Sequence, residues 1–137
     1  MSSDPRHFAL LESAQQLFQR GQLEFAVVAA QTACEVYVEL AITELLRARQ
    51  LGPFEDVIPQ LLNGYSLMDS RGRKVFAAVT GREVQQAAFW PHYKAHVERR
   101  NHIVHRGARA TQKDAGESLA AAASLFVYAA DAWNTSA

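Results

Sequence analysis

At 137 residues, 49% hydrophobic and 20% charged, the chain has the composition of a globular domain rather than a disordered chain, and its length is expected to fit one domain and to be too short for two. Its formal net charge is zero, but residues 1–70 hold four Lys/Arg against nine Asp/Glu, residues 71–113 ten against two, and residues 114–137 none against three. A lone cysteine excludes an intrachain disulfide framework, and no run reaches the roughly 18 uncharged apolar residues of a membrane span.

In chain order, Asp4-Pro5 reads as a helix start, since Asp can cap and Pro fits the first turn. Phe8, Leu11, Ala14, Leu17 and Phe18 then recur at helical spacing up to a break at Gly21. A second, longer helix is predicted from Leu23 to Arg49, stopped by Gly52-Pro53. Its apolar residues cover most of its circumference, which predicts the central helix of the fold. Glu24, Gln31, Glu35 and Glu39 share the remaining arc. Cys34 falls within the apolar pattern and reads as a buried thiol rather than a nucleophile.

From Pro53 to Gly81 the glycines and prolines punctuate short apolar runs, which predicts short helices and loops. Arg71, Arg73 and Lys74 form a basic patch between Gly-containing turns, fitting a solvated loop or contact with an RNA backbone. A helix is predicted through Glu83 to Phe89, with Pro91 kinking it or starting the next. That next helix runs through Tyr93, Val97, Ile103 and Val104 to Gly107. Thr111 and Asp114 have capping-box spacing before a last helix with the stripe Ala115, Leu119, Ala122, Ala123, Phe126, Ala130 and Trp133. The fold class is all-α: one domain over residues 1–137, built as a bundle of four or five helices.

Four of the five histidines fall in the basic block. That concentration fits a localised anion-binding face, or a solvated surface salt-bridged to the acidic first half. No Gly-rich phosphate loop and no nucleophile motif occurs. The informative segment is Glu98-Arg99-Arg100-Asn101-His102-Ile103-Val104-His105-Arg106-Gly107. Asn101 and His105 are one helical turn apart with Glu98 a turn earlier, and Ile103 and Val104 are the expected apolar anchors. Arg100 lies about 140° around the axis from His105, so only its long side chain can bring a guanidinium toward the imidazole. Glu35, if buried, needs a partner, and Arg100 or His105 is the candidate. His92 and His96 have the spacing of helical metal ligands, but nothing completes a site, and we expect neither metal nor cofactor.

Arg100, a polar Asn101 and His105 after four intervening residues form a pattern that resembles the HEPN family of all-helical domains. The stretch from Gln22 to Glu35 resembles that family's long early helix, and Gly107 through Trp133 resembles its ending. The resemblance implies metal-independent RNA cleavage, or a catalytically inactive module binding RNA, a nucleotide or a protein. In the first case His105 exchanges protons, Arg100 stabilises charge on the phosphoryl oxygens, and Asn101 orients His105 or bonds a phosphate oxygen. Arg99 and Arg106 are then expected to contact the RNA backbone. One imidazole does not easily serve as base and acid in one step. The resemblance implies a homodimer that brings two motif helices to one cleft.

A toxin–antitoxin or antiviral defence setting, with an antitoxin or regulatory partner, is likewise an implication of the resemblance alone. Many family toxins controlled by a nucleotidyltransferase carry Tyr two residues after the motif His, where this chain has Gly107. Silencing by tyrosine modification is therefore not expected. No basic-then-apolar leader is visible at the N-terminus, and a cytoplasmic location without membrane contact is expected.

Overall fold

A computed structural model describes residues 6–54, 57 and 66–136. Among these residues the fold is all-helical, with α1 (Arg6–Gln19), α2 (Leu23–Ala48), α3 (Ser70–Thr80), α4 (Trp90–Arg106) and α5 (Gln112–Ser136). Single 3₁₀ turns lie at Gly52–Phe54 and Val84–Gln86. Asp4, Pro5, Ile58, Pro59 and Gly64 lie outside the described residues.

The central helix is α2. Twelve of its 26 residues are buried, including Ala26, Ala30, Ala33 and Ala41 at helical spacing. Those small side chains let neighbouring helices approach closely, and α5 answers with Ala115, Ala121, Ala122, Ala129 and Ala132. By length and composition α2 could cross a membrane, but here it is the core helix, packed by α1, α4 and α5. Cys34 faces the Ala122 carbonyl from 4.0 Å, and burial first, then Glu35, pushes its thiol up. At one end of the bundle Tyr37 stacks on His7 at 4.4 Å and meets Phe126 at 4.7 Å.

His7 rather than Phe8 is the buried aromatic of α1; Phe8 is half exposed. Apolar periodicity does not count an imidazole, yet His7 stacks on Tyr37 and fills a core position. On α5 the stripe is shifted, with Ala123 exposed and Ser118 fully buried.

Two expectations about the middle of the chain are corrected. Arg71, Arg73 and Lys74 are not in a loop between turns but on α3, whose first turn is capped by Asp69 Oδ1 accepting from Arg71 N at 2.8 Å. Gly72 is inside that helix because a Cβ there would lie 2.0 Å from the Ser66 carbonyl oxygen. Glu83 to Phe89 is not a helix either. The chain makes one 3₁₀ turn there, and Pro91 starts α4 from its first turn, where a missing N–H costs nothing.

Candidate functional site

Helix α4 carries the Arg/His segment and ends on Gly107, whose φ of 65° is a left-handed conformation that glycine adopts without strain. Gly107 N donates to the Ile103 carbonyl at 3.1 Å and Ala108 N to the His102 carbonyl at 3.2 Å. The end of the motif helix is therefore closed by backbone bonds. His105 and Arg106 occupy its last turn, where the helix dipole favours positive charge.

The connection into α5 is tied down from far away in sequence. Glu24 accepts from Ala110 N at 2.9 Å through Oε2 and approaches Arg109 at 3.7 Å through Oε1. Val27, Ala110 and Ala115 form a small buried cluster beside it, with Ile103 packed against them. Ile103 is the expected anchor of the motif helix; Val104, also expected to anchor it, is 48% exposed. The capping box is formed, with Thr111 N donating to Asp114 Oδ2 and Asp114 N to Thr111 Oγ1, which holds the Asp114 carboxyl below its usual range.

Arg100 and Asn101 meet: Arg100 Nη1 donates to Asn101 Oδ1 at 3.0 Å. Arg100 is half-buried, on the stripe that carries Tyr93, His96 and Val97 into the core, and it makes no ion pair among the described residues. His105 is exposed and makes no hydrogen bond among the described residues, so nothing within one chain joins it to Arg100 or Asn101. Glu98 and Arg106 are exposed as well.

Arg99 points to the other flank. Its Nη1 donates to Ser118 Oγ at 2.7 Å, and its Nη2 lies 3.6 Å from Glu117 and 3.9 Å from Asp114. Arg99, expected as an RNA contact, links α4 to α5 through these bonds. Arg73 is also occupied, donating to the Leu67 carbonyl and lying over the Trp90 ring.

Glu35 requires a correction. It is exposed and accepts from Gln31 Nε2 at 3.2 Å; no ion pair joins it to Arg100 or His105. The buried polar residue of α2 is Gln31, 4% exposed, whose Nε2 also donates to the Tyr93 hydroxyl at 3.2 Å. Burial pushes the Tyr93 hydroxyl up, so it stays protonated. One turn further along α4, His96 is fully buried with its ring centroid 6.0 Å from that of Tyr93. Burial first, then Arg99 and Arg100, pull His96 down to about 4, which keeps the imidazole neutral at physiological pH.

Sequence reasoning missed this seam of Gln31, Tyr93 and His96. The available signal was a Gln in an apolar helix together with Tyr93, His96 and Arg100 at helical spacing along one stripe. His92 is exposed whereas His96 is buried, and among the described residues no three His, Cys, Asp or Glu gather as metal ligands.

Comparison with the models of known families, with curated proteins and with solved structures finds no match to this chain.

Proposed function

We propose that the protein is a HEPN-like, metal-independent endoribonuclease whose site is completed when two copies set the C-terminal ends of their α4 helices together. The supporting observation is the state of Arg100: a half-buried arginine without a carboxylate partner among the described residues, held by Asn101 one helical turn from an exposed His105. A guanidinium in that state keeps its charge available for a phosphate. His105, at the exposed last turn, can take the proton of an RNA 2′-OH or return one to the leaving 5′ oxygen. The attacking 2′ oxygen then bonds phosphorus as the 5′ oxygen departs, leaving a 2′,3′-cyclic phosphate upstream.

With one motif histidine per chain, base and acid require two copies. A toxin–antitoxin or defence setting, and a cytoplasmic location, remain part of the same proposal. The test is cleavage of single-stranded RNA in EDTA by the purified protein, with its oligomeric state measured by light scattering. A homodimer that cuts RNA, and a His105→Ala variant that does not, are expected. A monomer that binds RNA without cutting it would overturn the ribonuclease reading in favour of a silent binding module.

A further inference from the structure

Buried polar atoms in folded proteins almost always have partners, so a cluster that lacks them calls for an explanation. Four such atoms belong to the α2–α4 seam: Gln31 Oε1, both ring nitrogens of His96, and Arg100 Nε. The inventory is complementary. A neutral imidazole offers one N–H and one lone pair, Arg100 Nε offers an N–H, and Gln31 Oε1 offers lone pairs. Two donors therefore match two acceptors, in residues linked one to the next through Tyr93 and along α4. Gln31 bonds Tyr93, the Tyr93 and His96 rings are 6.0 Å apart, and His96 and Arg100 are one turn apart on the same stripe of α4.

We propose that His96 is the positioning residue of Arg100, closing a relay in which Arg100 Nε donates to one ring nitrogen and the other ring nitrogen donates to Gln31 Oε1. Gln31 passes the relay to the surface through its bond to Glu35 and anchors it to the buried Tyr93 hydroxyl. The relay fixes the inner edge of the guanidinium, leaving both outer nitrogens to fork a phosphate, with Asn101 holding one of them until the anion arrives. It also gives a reason for a histidine at a fully buried position. An imidazolium there would carry two N–H groups and no lone pair for Arg100.

The existence of the relay does not depend on the ribonuclease reading; only its catalytic consequence does. The test uses the full-length protein labelled with ¹⁵N. In wild type, one His96 ring nitrogen is expected to be protonated and the other not, and the Arg100 Nε–H to exchange slowly with water. In His96→Phe, which keeps the ring but removes both polar atoms, that exchange should become fast and the melting temperature should fall, because Arg100 Nε and Gln31 Oε1 are left buried without partners. His96→Gln, with an acceptor and a donor, should partly restore the protection. Cleavage of an RNA oligonucleotide by His96→Phe should lose kcat, by roughly 10²-fold if the guanidinium shifts by about an ångström, more than it gains in KM. An Arg100 Nε–H that exchanges equally fast in wild type and His96→Phe overturns the relay, whatever the protein does to RNA. A protected Nε–H in a protein that cuts no RNA overturns the ribonuclease reading and leaves the relay standing.

Discussion

Arg99 reaches across from α4 to the fully buried hydroxyl of Ser118 on α5, Nη1 to Oγ at 2.7 Å, while its neighbour Arg100 makes no hydrogen bond or ion pair to α5 among the described residues. Two adjacent arginines thus differ in kind, one fastening helices and the other available. Arg99→Ala should destabilise the protein by about 1–3 kcal/mol, because it strips a donor from a buried hydroxyl. Urea denaturation of Arg99→Ala checks this, and an unchanged midpoint would contradict its role as a fastener.

Replacing Arg100 or His105, the pair proposed as catalytic, should instead show in activity. His105→Ala should lower RNA cleavage by ~10²–10⁴-fold, the usual worth of a proton-transfer group. Arg100→Ala should lower it by roughly 10²–10³-fold, the range for a lost charge-stabilising donor. Circular dichroism of His105→Ala should match wild type, since the side chain is exposed. His102→Ala, also exposed but outside the motif, should be milder. Its loss of activity to the same degree as His105→Ala would remove the motif from the explanation.

Among the arginines of the basic block, Arg106 is exposed and makes no ion pair among the described residues, so it should be a direct phosphate contact. Arg106→Ala should weaken single-stranded RNA binding and reduce the slope of log K against log salt by roughly 0.7. Filter binding across a salt series measures it. An unchanged slope would place the RNA elsewhere.

Gly72→Ala should destabilise strongly for a helix position. Alanine is ordinarily the better helix former, but here its Cβ would fall 2.0 Å from a backbone oxygen of Ser66, which cannot swing aside as a side chain could. A loss of about 1–3 kcal/mol, the range for overpacking, is expected in thermal or urea unfolding. A stabilised variant would show that the segment before α3 gives way.

Stability should fall as pH drops from 6.5 toward 4. His96 titrates near 4 when folded and near its ordinary 6.5 when unfolded, so within that window the unfolded chain binds the extra proton. Above 6.5 the contribution is fully present. Of the groups around it, Tyr93 and Cys34 are pushed up and stay neutral, and the guanidinium groups of Arg99 and Arg100 help to pull His96 down. Urea midpoints of wild type and His96→Phe at several pH values should differ in slope on acidification, with wild type losing more. Parallel curves would mean that His96 does not titrate alone.

Much of the helical layout was readable from residue patterns. The central place of α2, the stop at Gly107 and the Thr111–Asp114 capping box all follow from local rules, and each is found where expected. Periodicity failed where a polar side chain fills an apolar position, as with His7, Gln31, His96 and Ser118. It also failed at Gly72, where a contact with Ser66 and not a turn demands glycine. The segment Arg100-Asn101-His105 could be singled out by residue type and spacing. Which arginine was already occupied could not, because the partners of Arg99 lie on another helix.

The hold of Glu24 on Ala110 and Arg109 has a consequence for how the protein comes together. The hairpin of α1 and α2 can form from contacts between neighbours in sequence, whereas the connection after α4 is tied down by Glu24, 86 positions before the Ala110 that it holds. A peptide spanning α4 and α5 alone should therefore carry the motif without its geometry, and grafting those two helices onto another scaffold should transplant the letters but not the shape.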